Sequence, residues 1–455
     1  MMKRRHSRKT RDDAGRLPRN AAPVELDITH VGGRGDGVGK ASWRYNHVTK
    51  DHTVFVPASL PGEKVVAQPV SVSGQGLKTV LTEILTPSPQ RREPDCRVFP
   101  ACGGCVLQHW RDDAVTAWKQ DLVAGFLARA GIVPEGFATP HVSPRGSRRR
   151  AGFHLKRLSN GVAAGFLERG SGRIIAPLGC SVLRPELVTL LDRLADLAER
   201  HFPIGVSIDA QANDLDNGIC LLLRGPAGWH DGIREHLAGW AVDVGLARLS
   251  VSGGDETALT LLAPAPPILR LGEIAVTPPP GAFLQATRDA EAVLQREVAT
   301  IIGGADRVLD LFAGCGTLGL PLLPGLSHLT AAESDMAALT ALRQAVDAAG
   351  RGAQLSCLET DLMESPIALA DLDGVDAVII DPPRAGAAAQ CAALATSAVP
   401  VIAMVSCNPA TFARDAATLI AGGYRMGQPR IIDQFRFSGH VEVVAGFTRD
   451  DAPHS

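Results

Sequence analysis

The sequence predicts a multidomain chain: a small antiparallel β-barrel, then a central α+β region, then a C-terminal doubly wound α/β domain. Three observations predict it. Short β-prone runs punctuated by glycine and proline fill residues 23–88. Strand patterns mix with one strong helix between about 141 and 268. From about 282, short near-continuous apolar runs alternate with helical patterns, as parallel strands covered on both faces require. The 455 residues, 45% hydrophobic and 21% charged, supply apolar surface for several cores.

Residues 1–22 lack periodicity; eight Lys/Arg against two Asp in the first twenty residues read as a disordered basic tail on a chain of net charge −2. No apolar stretch follows that start, so a secretory leader is not expected, and no run reaches the ~18–20 residues of a membrane span. Nine cysteines without a leader point to a reducing, cytoplasmic setting, where thiols serve metals or catalysis. In residues 23–88, VELDITHV, HTVFVPAS, EKVVAQPVSV and KTVLTEIL read as strands, with Pro61-Gly62 turning between two of them. A linker, TPSPQRREPDC, opens the central region, taken as 89–268. There, residues 110–131 and PELVTLLDRLADLAERH have helical spacing, and GVAAGFLER, GRIIAPL, NGICLLLRG and ALTLLAP read as strands. Proline-rich APAPP and TPPPG mark the next boundary, with the last domain assigned to 269–450. Its strands are RVLDLF, LTAAE, AQLSCLE, DAVIID and VPVIAMVS, and its helices RDAEAVLQREVATIIG and SDMAALTALRQAVDAAG.

The chemistry-bearing residues fall at the ends of those strands. DLFAGCGTLGL places Gly314, Gly316 and Gly319 in a strand-to-helix turn where the backbone can approach a ligand, and Glu333 ends the next strand, ready to accept ribose hydroxyls. This loop fits a nicotinamide cofactor or S-adenosylmethionine equally. Asp381-Pro382-Pro383-Arg384 ends the fourth strand, its two prolines fixing an extended turn that projects Asp381 into the crevice. Cys407 ends the following strand, at the carboxyl edge where open α/β sheets bind ligands, and is a candidate nucleophile. Glu442 lies among apolar residues on a late strand, although glutamate is depleted in strands.

Upstream, Cys96, Cys102 and Cys105 form C-x5-C-G-G-C, and Cys180 is the nearest remaining cysteine; four thiolates select zinc or an iron–sulfur cluster, with His109 an alternative ligand. Residues 145–157, RGSRRRAGFHLKR, carry six Lys/Arg and no acid, a patch able to neutralise phosphates.

Together these motifs are similar to those of the RNA uridine-5 methyltransferase family, and the match runs through nearly all the chain after residue 22. GDGVGKA, FVPASLPGE and KTVLTEIL resemble its TRAM barrel, and CRVFPACGGCVLQHW with Cys180 its [4Fe–4S] ligands. FLQATRDAE, DLFAGCGTLGL, DPPRAGA, SCNPATF and FSGHVEVV resemble its catalytic motifs. By this resemblance S-adenosylmethionine is the methyl donor. Gln285, Phe312, Thr317, Glu333, Asp361 and Asp381 contact cofactor or substrate, Cys407 is the nucleophile and Glu442 the base. The implied partner is RNA, ribosomal rather than transfer RNA; no membrane is expected, and the sequence leaves the oligomeric state open, with a monomer as the expectation. The motif departs at Ala286-Thr287, where the family carries an aliphatic residue and Asn.

Three other readings account for less. An exocyclic-amine methyltransferase would also carry Asp-Pro-Pro, but Arg384 stands where those enzymes have an aromatic residue. A non-catalytic iron–sulfur RNA-binding protein leaves Cys407 and Glu442 without a purpose. A nicotinamide dehydrogenase leaves the DPPR motif and the cysteine set without one.

Overall fold

The computed structural model describes residues 15, 17–18, 20–45, 48–177 and 179–449. Most of the basic tail predicted over residues 1–22 therefore lies outside the described residues. Two compact units are present: one holds the described residues up to Asp95 with Gly104–Trp118 and Phe437–Gly439, and the other holds Cys96–Gly103, Lys119–Arg436 and the described residues from His440.

The first unit is built on a closed five-stranded barrel: β1 (Val24–Val31), β2 (Gly37–Tyr45), β3 (Val48–Val56), β4 (Lys64–Ser73) and β5 (Gly76–Thr86), in the order β1-β2-β3-β5-β4. Alternation builds it. Val24, Leu26 and Ile28 of β1 point inward with Val54, Val56, Val65 and Leu77 from the other strands. Glycine lets strands approach closely: a Cβ at Gly39 would lie 2.3 Å from the Asp27 carbonyl oxygen. The turn at Pro61-Gly62 stands between β3 and β4, with Gly62 at φ 80°.

The chain continues through α1 (Asp112–Arg129), β6 (Ala138–Val142), β7 (Arg150–Leu158), β8 (Gly161–Leu167), β9 (Ile174–Ile175) and α2 (Pro185–His201). Then come β10 (Ser207–Leu215), β11 (Gly218–Gly225), α3 (Arg234–Val244), β12 (Arg248–Gly253), β13 (Leu259–Leu262) and the hairpin β14 (Leu269–Leu271) and β15 (Ile274–Val276). Seven of these strands form one sheet, β13-β12-β11-β10-β7-β8-β9. Helix α2 packs on it through Leu187, Leu190, Leu191 and Leu194, spaced on one helical face. The segment read as a phosphate-binding patch is largely β7, inside this sheet. Arg149, which precedes β7, is fully buried and paired with the buried carboxylate of Glu291, so it offers nothing to a phosphate.

The last part comprises α4 (Arg288–Ile302), β16 (Arg307–Leu311), β17 (His328–Glu333), α5 (Met336–Ala348), β18 (Leu355–Glu359), β19 (Ala377–Ile380) and α6 (Ala388–Ala395). It ends with β20 (Val401–Ser406), α7 (Pro409–Ala421), β21 (Tyr424–Met426), β22 (Arg430–Asp433) and β23 (Glu442–Arg449). The sheet runs β18-β17-β16-β19-β20-β23-β22-β6, with β21 also on β23. From β18 to β20 every pairing is parallel, and β23 enters antiparallel between β20 and β22. Successive residues feed opposite faces: Val308 joins the core under α4 and α5, while Leu309 and Leu311 join the core under α6 and α7. Chain order reverses between β16 and β19, the switch point at which doubly wound sheets open a ligand crevice. No described helix is long and apolar enough to cross a membrane.

Candidate active site

Five strand ends supply one edge. After β16, Phe312 takes φ 63°, a left-handed conformation rare for a bulky side chain, and Gly314 (φ 54°) and Gly316 (φ 87°) complete the turn. A Cβ at Gly316 would fall 2.5 Å from Leu320 Cγ, whereas one at Gly314 would meet nothing within 4 Å. The loop is thus packed beneath and open above. Glu333, closing β17, accepts the backbone N–H groups of Gly314 at 3.0 Å, Ser334 at 2.7 Å and Asp335 at 2.9 Å, bracing the loop against the start of α5. Thr317 lies in the same turn, its carbonyl accepting Gln295 Nε2 at 3.0 Å. Asp361, beyond β18, is exposed and accepts the Met363 N–H at 2.9 Å. An open glycine turn at the switch point, with a carboxylate on the next strand, fits an adenosyl ligand.

Asp381 and Cys407 follow β19 and β20, parallel neighbours with Ile380 opposite Met404. Asn408 joins their loops: its Nδ2 donates to the Arg384 carbonyl at 2.9 Å, and its Oδ1 accepts from Ala410 N at the start of α7. Because β23 runs antiparallel to β20, with Ser406 opposite Val443, Glu442 enters the sheet beside Cys407. Glu442 is only 3% exposed, so it is not a solvent-facing strand residue.

The electrostatics are adverse to charge. Burial pushes the Cys407 thiol up to about 11, and the carboxylates of Glu442 and Asp381 push the same way, against Arg384. Burial raises Glu442, and Asp381 adds repulsion. Burial raises Asp381 too, partly offset by the hydrogen bond from Gln285 Nε2 at 3.2 Å. Beneath them Asp310 is driven up to about 8 by burial and then by Asp381. The sequence leads one to expect a thiol whose pKa is lowered or whose proton is taken by a neighbour. Burial and the two carboxylates raise it instead.

Three residues here carry no motif signal strong enough to single them out. Gln434, just after β22, bridges Gln285 and Glu442. Its Nε2 donates to Gln285 Oε1 at 2.7 Å and to Glu442 Oε2 at 2.6 Å, while its Oε1 accepts the Ala286 N–H at 2.6 Å. Arg150, hidden in the basic segment, sets its guanidinium 4.2 Å from the Phe283 ring centroid. Its charge acts on Glu442 and Cys407, and burial lowers its own pKa to about 10. Asp310 is the third. Thr287, at the position of the family's Asn, caps α4 by accepting from Ala290 N at 3.3 Å.

The four predicted metal ligands divide between the two units. Cys96 and Cys102 are buried in one unit, where the backbone of Cys102 pairs with Glu168; Cys180 is half-buried in the same unit, and Cys105 belongs to the other. Among the described residues no group of three or more His, Cys, Asp or Glu could hold a metal ion, and His109 joins none.

Comparison with known proteins agrees with the edge chemistry. Residues 281–449 match the family model described as tRNA (Uracil-5-)-methyltransferase. The chain is 36% identical, over 93% of its length and 98% of the relative's, to an uncharacterized RNA methyltransferase of Brucella suis biovar 1 (strain 1330). It is 34% identical, over 88% of its length and 85% of the relative's, to the 23S rRNA (uracil(1939)-C(5))-methyltransferase RlmD of Chromohalobacter salexigens. Its fold is similar to that of Pyrococcus abyssi tRNA (uracil-54, C5)-methyltransferase, crystallised with S-adenosyl-L-homocysteine. That likeness has a TM-score of 0.69 at 22% identity and covers 93% of this chain and 99% of the other. With the glycine turn, the strand-end acids and the sulfur gathered on one sheet edge, these matches mean that the chain belongs to the S-adenosylmethionine-dependent RNA uracil-5-methyltransferase family.

Proposed function

We propose that the protein methylates C5 of a uridine in ribosomal RNA through a transient bond between Cys407 and C6 of the base. The observation that supports this most is the antiparallel entry of β23, which sets Glu442 beside Cys407 at the crevice of the Gly314–Gly316 turn. Uracil C5 is a weak nucleophile. As the Cys407 thiol passes its proton to the neighbouring Asp381 carboxylate, its sulfur adds to C6 and an electron pair moves toward C5 and O4, so that C5 can then take a methyl group. S-adenosylmethionine supplies that methyl group and a positive charge at the acidic edge. After transfer, C5 carries both a methyl group and a hydrogen. Glu442 accepts that proton, the C5–H electron pair forms C5=C6, and the C6–S bond breaks to return the cysteine sulfur. Asp381 and Gln285 orient the uracil edge and the developing charge on O4. The target base has to leave its stack to reach the edge, with the barrel and the central sheet gripping the surrounding RNA by shape and phosphate contacts.

Cys407→Ala removes all methylation under this scheme. Glu442→Gln stops after methyl transfer, so a protein–RNA adduct survives on denaturing gels; full turnover by Cys407→Ala would end the proposal. General-base removal costs ~10²–10⁴ in rate. Ribosomal RNA is proposed because of the 34% identity to the 23S rRNA enzyme over 85% of that protein. Nucleoside mapping of 23S rRNA and tRNA from a deletion strain tests it: 5-methyluridine missing only from tRNA would reassign the substrate. No step uses the iron–sulfur cluster. Iron and acid-labile sulfide in anaerobically purified protein test Cys96, Cys102, Cys105 and Cys180 as its ligands.

A further inference from the structure

Gln434 is 2% exposed, and its carboxamide is committed on every side. A backbone N–H can only donate, so the Ala286 N–H at 2.6 Å obliges the oxygen of Gln434 to lie there. Both hydrogens of Nε2 are then directed away, one to Gln285 Oε1 at 2.7 Å and one to Glu442 Oε2 at 2.6 Å. The polarity propagates. Gln285 must accept at its oxygen, so its Nε2 donates, and it does so to Asp381 Oδ2 at 3.2 Å. One backbone amide therefore sets the direction of a chain of hydrogen bonds running Ala286, Gln434, Gln285, Asp381, with a branch to Glu442.

We propose that Gln434 is the positioning residue of this site: it fixes which oxygen of Glu442 takes the proton from C5, and it locks the Gln285 amide so that Nε2, already donating to Asp381, presents its second N–H to the base. The proposal rests on the covalent reading given above. With Oε2 of Glu442 already accepting from Gln434, the C5 proton goes to Oε1. The C5–H pair closes C5=C6, and the cysteine sulfur leaves with the pair of the C6–S bond. A locked Gln285 presents a donor. A donor matches the O4 carbonyl of uracil and opposes the amino group that cytosine carries at the same position. An unlocked glutamine amide could turn over and accept from that amino group. Gln434 thus serves both proton removal and the choice of base without touching the RNA.

The groups facing Glu442 are Asp381 beyond β19, Cys407 beyond β20 and Arg150 on β7, besides Gln434 itself. Gln434 and Arg150 favour the ionised form and Asp381 opposes it.

The test is Gln434→Met in the full chain, assayed with a uridine-containing RNA fragment and the same fragment carrying cytidine at the target. kcat is expected to fall about tenfold to a hundredfold, the range for losing one hydrogen bond to a charged group, with KM within about twofold. The acidic limb of the pH–rate profile moves to higher pH, and the cytidine-to-uridine rate ratio rises. In a Glu442→Gln background the same substitution adds no further loss of turnover, since the step it assists is already blocked. Binding of S-adenosyl-L-homocysteine, measured by calorimetry, stays within about twofold, which shows that the fold is intact. Unchanged kcat with an unmoved acidic limb, losses that multiply with Glu442→Gln, or loss of ligand binding would each overturn the assignment. Turnover by Cys407→Ala would instead overturn the covalent reading beneath it.

Discussion

Glu442 can take a proton only when it is ionised, and its surroundings resist that. Burial and the Asp381 carboxylate raise its pKa; Gln434 and Arg150 pull the other way. Release of the methylated base from Cys407 should therefore slow as pH drops, beginning well above the ~4.3 of an ordinary glutamate. Single-turnover rates from pH 5 to 9 measure this, and Arg150→Met should shift the falling limb higher still. Asp310 gives a stability counterpart. Its folded pKa of about 8 lies far above that of the unfolded chain, so its contribution is full in acid and is lost as pH rises toward 8. Asp310→Asn should raise the melting temperature more at pH 8 than at pH 6; a pH-independent difference would contradict the assignment. Cys407, Asp381, Glu442 and the glycine turn were legible because each sits in a short run of residue types that only a strand end explains. Gln434 and Arg150 were not, because their work depends on partners 148 and 292 positions away in the chain, Ala286 and Glu442.

Among the elements, those with clean periodicity could be read directly. PELVTLLDRLADLAERH is α2 from end to end, and VELDITHV is β1. Strands that bury polar groups could not. β10, SIDAQANDL, alternates polar and apolar residues only weakly, with alanine at two of its apolar positions, and its second face meets a loop: Gln211 Nε2 donates to the Gly281 carbonyl at 2.9 Å and Asn213 Nδ2 to the Ala282 carbonyl at 2.8 Å. β2 is masked by glycines that the barrel needs for close strand approach. Two elements invite substitution. Thr287→Ala removes the α4 cap and should cost about 1 kcal/mol, read by urea denaturation. Gly316→Ala adds both a 2.5 Å clash with Leu320 and a strained φ, so binding of S-adenosyl-L-homocysteine should weaken markedly in calorimetry.

At the level of the larger unit, the buried pair Arg149–Glu291 ties the seven-stranded sheet to α4, and Arg149 N also donates to the Ala286 carbonyl at 2.9 Å. Arg149→Met would strand Glu291 without a partner, a loss of ~3–5 kcal/mol in chemical denaturation, and a second change of Glu291→Leu should recover most of it. The order of strands has a temporal side as well. β16 to β20 leave the ribosome ready to pair with one another, but the slot between β20 and β22 stays vacant until β23, the last described strand in the chain, arrives to fill it. The carboxylate it carries is thus placed after the strands that bear Asp381 and Cys407. A chain whose β23 has not yet docked holds the sulfur and the crevice without the base, the state that Glu442→Gln imitates.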